Sequence, residues 1–335
     1  MTESTTCHRL EGLEPDNLLA FLALLGLLRS LETADRTYAE DQRLHPRAFW
    51  ELDVSPLRPM LRVARPATRK DVTEAASKGI AIQAAANSFG NRKDLNYTRH
   101  EARRMLESVG CSATASDRNA ADLLASLMSD AAVKEDKNSD NAAIDPTPLC
   151  LLFGQGHQHF LERLVAVPLE PTPPPRGRGK KSVRLSAAEC LNEALFAPWH
   201  RGDPTFSFRW DPEEDVRYAL MAGNPTDPVY KGATQHGANR LAAVGLAALT
   251  LVPEMRAGRV RPSLLGGYSD LRGFSFSWPI WKEPATLTAI RALLGHPDLR
   301  NANGLAHLGI DHVLTARRVF VAKFMNFTRA RVANT

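Results

Sequence analysis

The chain has 335 residues, 44% of them hydrophobic and 24% charged, the composition of a globular protein with a sizeable core. That length exceeds one small domain and suits two domains, or one large α+β domain with insertions. The apolar run from Leu18 to Leu28 is too short to span a bilayer and follows Glu11, Glu14 and Asp16, so it is expected to be neither a membrane span nor a signal sequence.

In chain order, residues 8–14 read as a short strand or extended lead-in. Asp16 then caps a helix that runs to about Leu31 and is buried on nearly all sides. Phe49 to Asp53 reads as a strand or packed turn, and Pro56, Pro59 and Pro66 interrupt any long element after it. Helices are expected over 69–86, 101–109, 120–128 and about 158–167, with a polar loop at 134–141. The stretch Pro168 to Lys181 is rich in proline and ends in Arg176-Gly177-Arg178-Gly179-Lys180-Lys181; it reads as an extended, mobile basic arm or a plain linker. Residues 183–220 look β-rich and then turn-rich, with Phe206 to Trp210 alternating as a strand does. A helix follows Gly237-Ala238-Asn239-Arg240, Gly273 to Ser277 alternates again, Thr286 caps a helix to Leu294, and the tail from Ile310 to Val332 alternates apolar and basic residues. The expected fold class is α+β: a helix-rich N-terminal half (1–167), a basic Pro-rich linker (168–182) and a mixed α/β C-terminal half (183–335).

A net charge of +5 is modest, so placement carries the information. Cations cluster at Arg58, Arg62, Arg65, Arg69 and Lys70; at Arg92, Lys93, Arg99, Arg103 and Arg104; at Arg176, Arg178, Lys180, Lys181 and Arg184; and at Arg317, Arg318, Lys323, Arg329 and Arg331. Each cluster reads either as a solvated face or as a contact to a polyphosphate, where neutralised phosphates release counterions. Free backbone N–H groups at a helix start, beside Asn239 and Arg240, offer a further phosphate contact. The expected nucleic-acid contacts are Arg92, Lys93, Arg176, Arg178, Lys180, Lys181, Asn239, Arg240, Arg317, Arg318 and Lys323.

Catalytic patterns are incomplete. Gly154-Gln155-Gly156 lacks the third glycine of a phosphate-cradling loop, because His159 stands there. His157 and His159 are too few to hold a metal alone. His200 and Asp203 are spaced for acid–base work but lie near no nucleophile-elbow motif. Cys7, Cys111, Cys150 and Cys190 form no CxxC pair and suit a reducing cytoplasm. No cofactor and no metal is expected. The alternative to a binding protein is a metal- or histidine-dependent enzyme acting on nucleic acid through His157, His159, His200 and Asp203; a third reading is an adaptor whose basic patches meet acidic protein surfaces.

Leu10-Glu11-Gly12-Leu13 followed by Asn17 to Arg29, ending in Leu25-Gly26-Leu27-Leu28-Arg29, resembles the opening of large-subunit-like proteins of the subtype G (formerly U) branch of type I CRISPR systems. Phe208 to Pro212, Gly237 to Ala242 and Phe276 to Trp281 are similar to segments of proteins from the same genomic setting. The resemblance implies a subunit of a crRNA-guided surveillance complex that touches the PAM region or the separated strands of target DNA. Its partners would be crRNA, target DNA, the backbone and crRNA-processing subunits, and a helicase–nuclease recruited in trans. None of these segments is a catalytic motif, and no membrane partner is expected.

Overall fold

The computed structural model describes residues 4–89, 92–114, 117–134, 140–151, 159–177, 182–214, 233–301, 304–321 and 324–333. The fold class is α+β. Strand β1 (Thr5–Arg9), helix α1 (Leu18–Asp35), β2 (Arg47–Trp50), β3 (Pro59–Ala67) and α2 (Arg69–Ala85) build the first unit. Its sheet has the order β1-β3-β2, and β3 runs antiparallel to both neighbours. β1 and β2 are therefore parallel and split by β3, with α1 as the crossover between them. The prolines do not interrupt β3 as expected. Pro59 opens the strand and Pro66 lies beyond Arg62, the last residue paired with β2, so neither removes a needed ladder bond.

Helix α1 is capped by Asn17, whose side chain accepts from the Ala20 N–H at 3.3 Å. Asp16, the expected cap, instead receives the Arg329 guanidinium at 2.8 Å. Every residue of α1 from Leu18 to Leu31 is buried, which is what an apolar run without a polar stripe requires.

Helix α3 (Arg99–Ser112) packs on α4 (Asn119–Leu127), and α4, α5 (Phe160–Leu169), α6 (Ala187–Phe196) and α7 (His236–Gly245) pack around that centre. α1 meets α7 and α2 at backbone distance. A Cβ on Gly26 would lie 1.8 Å from the Leu241 carbonyl oxygen, and one on Gly79 would lie 1.9 Å from that of Ser30. Glycine is the residue that admits such an approach.

Short strands β4 (Asp203–Pro204) and β5 (Ala233–Thr234) pair with each other, and β6 (Leu251–Arg256) with β7 (Arg259–Leu264) forms a hairpin. The larger sheet contains β8 (Gly267–Asp270), β9 (Gly273–Trp281), β10 (Ile310–Val321) and β11 (Phe324–Phe327), in the order β11-β10-β9-β8, with β12 (Arg331–Val332) also on β10. Helix α8 (Leu287–Leu294) is capped by Thr286, as expected.

Residues 183–214, the described part of the stretch read as β-rich, depart from that reading, and 215–220 lie outside the described residues. Ser186 and Glu189 form a capping box that starts α6. Phe206 to Trp210 form no strand. Arg209 has a left-handed backbone (φ 64°), and the chain turns so that Phe208 and Trp210 stack at 4.4 Å in the core. The alternation reported burial, not a ladder.

The expected halves share one core. The Phe21 ring stacks on Trp278 at 5.2 Å, and the Trp278 indole N–H donates to the Pro15 carbonyl at 3.1 Å. Ala48 and Ala285 exchange backbone bonds of 2.9 and 2.8 Å. The stretch expected to be a mobile arm is fastened where it is described. Pro168 lies in α5, Pro173 is buried, and the Pro168 and Pro171 carbonyls accept from Arg240. Among the described residues no helix is long and apolar enough to cross a membrane.

Gly26→Ala forces α1 and α7 apart and is expected to lower stability by about 3 kcal/mol, the upper range for an overpacked core. Denaturant unfolding of the full chain measures it.

Candidate nucleic-acid interface

A guanidinium removed from water must find hydrogen-bond acceptors or carboxylates, and most of the expected phosphate contacts have found them inside this protein. Arg176 donates to both oxygens of Asp203 (2.8 and 3.0 Å) and both oxygens of Glu193 (3.0 and 2.8 Å). Those carboxylates hold its pKa above the usual arginine range. Arg92 pairs with Glu101 and lies over the Tyr97 ring, and Lys93 meets Glu162 at 3.1 Å. Arg103 pairs with Asp130 at 2.9 Å, and Arg329 joins Glu14, Asp16 and Glu213.

Asn239 and Arg240 correct the expectation at the start of α7. Both are buried, at 0% and 2% exposure. Arg240 donates to the Pro171 and Pro168 carbonyls at 3.0 and 3.3 Å, and Asn239 to Thr234 Oγ1 at 2.7 Å. The Gln235 side chain already accepts from the Gly237 and Ala238 N–H groups. The helix start is closed by its own cap, so it presents no free N–H groups to a surface ligand. Arg317 lies 4.0 Å from Asp270 and stays partly exposed, while Arg318 donates to the Pro148 carbonyl at 3.0 Å and covers the Phe274 ring. Arg178, Lys180, Lys181, Lys323 and His157 lie outside the described residues.

The candidate acid–base residues are not brought together for chemistry. Asp203 is fully buried and committed to Arg176. His200 is exposed, with its ring folded over Gly202, and His159 faces Asp94 at 3.3 Å. Among the described residues no three His, Cys, Asp or Glu side chains gather as metal ligands.

The outer face of the first sheet stays open and carries cations. Side chains alternate along β3: Leu61 and Val63 are buried, while Arg62 and Ala64 face solvent. The register sets Arg62 opposite Cys7 of β1 and opposite Arg47 of β2. The next row on that face is Arg9, Met60 and Phe49. Arg47 and Arg62 are both exposed, and neither has an ion-pair partner among the described residues. Arg9, by contrast, is held by Glu11 and Glu51.

Beside Arg47 opens a cleft of about 660 Å³ lined by Glu32, Asp35, Arg36, Arg43, His45 and Thr286. Asp35 accepts the Leu44 and His45 N–H groups at 2.8 Å each, and burial raises the Glu32 carboxyl pKa. Within the cleft Arg43 and His45 both face Glu40, so the open positive charge is on the sheet face, where Arg47 and Arg62 can hold phosphates by charge-assisted hydrogen bonds. Sequence reasoning counted Arg62 in a cluster without singling it out, and missed Arg47. The signal was the alternation from Met60 to Ala64, obscured by the flanking prolines.

Two outcomes are expected. Asp203→Asn leaves the Arg176 guanidinium half-paired and lowers stability by about 3 kcal/mol in denaturant unfolding, the range for breaking a buried pair. Burial pushes the Glu214 carboxyl up to about 7 from 4.5, against the opposing hydrogen bond from Ser207. A carboxyl raised on folding binds its proton more tightly in the native state, so stability falls as pH rises from the unfolded value through 7. Unfolding curves at pH 5 and pH 8 should show a larger loss for the unaltered chain than for Glu214→Gln.

No family model matches this chain, and no curated protein matches it.

Proposed function

We propose that this chain is a cytoplasmic nucleic-acid-binding subunit of a crRNA-guided type I effector complex, and that its open sheet face grips the phosphate backbone of crRNA or target DNA. The observation that carries the binding reading is the opposed pair Arg47 and Arg62, exposed and without a carboxylate among the described residues. Like charges directly across a strand pair destabilise the sheet, and a bound phosphate removes that repulsion. The assignment to an effector complex rests on the resemblance of the Leu10–Arg29 segment and the later motifs. In that setting guide pairing reads the sequence, while this subunit contributes to PAM recognition or holds separated strands. The backbone and crRNA-processing subunits would be its neighbours, and a helicase–nuclease recruited in trans would cut.

The test is a salt titration of binding to labelled single-stranded RNA and DNA. Neutralising both residues (R47A together with R62A) is expected to reduce the slope of log affinity against log salt by about 1.4, since each phosphate contact on a single strand contributes about 0.7. Circular dichroism should be unchanged, because both side chains project from the sheet. Salt-insensitive binding by the unaltered chain, or an unchanged slope in the double variant, contradicts the reading.

A further inference from the structure

Strand β10 outruns the core it covers. Along one of its faces Leu314 is 5% exposed and Ala316 0%, but Phe320, on that same face, is 68% exposed. Between them Arg318 is largely buried, and its Nε has no hydrogen-bond partner. The β8–β9 turn lies at the same end of the sheet, with Gly273 close to the Arg318 carbonyl. That turn presents Leu271, fully exposed at 107%, and the exposed Arg272. Asp270 is the acid there; it accepts the Arg272 N–H at 2.7 Å and lies 4.0 Å from Arg317. By strand alternation Asp270 and Arg317 lie on the opposite face from Phe320 and Arg318, so the Phe320 side of this sheet end presents an exposed aromatic ring beside a turn that carries an exposed leucine and the exposed Arg272.

We infer that this sheet end is a stacking platform for unpaired bases of a single-stranded nucleic acid. The Phe320 ring takes the face of a base, Leu271 packs against its neighbour, and Arg272 takes a flanking phosphate. An aromatic among cations is the combination that single strands require, because every base has a π-face and every linkage a charge. Duplex bases are already stacked and offer the ring no face. Charge selects the occupant: Arg272 has no ion-pair partner among the described residues, and Asp270, the acid of the turn, lies on the other face beside Arg317, so the Phe320 side complements a polyanion. The inference deepens the nucleic-acid reading above and rests on it.

The experiment uses the full chain and oligonucleotides carrying 2-aminopurine, single-stranded or within a duplex. The base analogue should change its fluorescence when the unaltered chain binds the single strand. Phe320→Ala should abolish that change and weaken single-strand affinity about tenfold, in the range for one lost stacking contact, leaving duplex affinity in place. Phe320→Trp should restore both. R47A with R62A should lower affinity for both forms while preserving the fluorescence change at saturation. If the unaltered chain binds single strands and Phe320→Ala alters neither affinity nor fluorescence, the platform is overturned and the nucleic-acid reading stands. If Phe320→Ala instead releases only a co-purifying protein, the surface is a protein interface and the platform is again overturned. If the unaltered chain binds no nucleic acid, both fail.

Discussion

The structure depends on one helix that has no solvent side. Helix α1 is surrounded because Gly26 and Gly79 let neighbouring backbones come where a side chain would stand. That closeness leaves α1 in contact with α2, α7 and, through Phe21, the large sheet. Its buried Arg29 is matched by Gln83 at 2.7 Å and Asp122 at 3.2 Å. The first sheet is held to this centre by one face only, which is why its other face is left open. The candidate interface is a consequence of how the core is closed.

Charge follows the same economy. In a chain that buries arginines, each guanidinium is either an internal strut or an external probe, and its partners decide which. Arg176 fixes the proline-rich stretch to the Asp203 loop, and Arg240 fixes it again through two carbonyls. Arg329 ties the end of the described chain to Glu14 and Asp16 near its start. These are struts. Arg47 and Arg62 are probes, as they face each other across β2 and β3 without a carboxylate among the described residues. A basic composition therefore says little about binding until the struts are removed from the count.

The legible parts of the fold were those governed by local chemistry. α1 follows from its apolar run, α2 from its alanine-rich stretch, α8 from its Thr286 cap, and β9 and β10 from alternation. What was not legible depends on distant residues. Arg176 and Asp203 are 27 positions apart, and Arg329 and Glu14 are 315 apart, so no window of sequence shows that these cations are neutralised. Asn239 and Arg240 sit at a helix start that looks free until the Gln235 side chain folds back over it. β3 was hidden by prolines that happen to fall where the ladder does not need them. Phe320 looks like an ordinary core residue in an alternating strand; only the extent of the core shows that it projects past the edge.

Photocrosslinking the full chain to single-stranded RNA and DNA, with the attachment sites mapped by mass spectrometry, addresses the central claim most directly. Crosslinks are expected on the exposed side of β2 and β3, around Arg47 to Ala64, and on the tips near Leu271 and Phe320. Crosslinks confined to the buried start of α7, or to the Arg176–Asp203 junction, would show that the phosphate track runs where this structure places only internal struts.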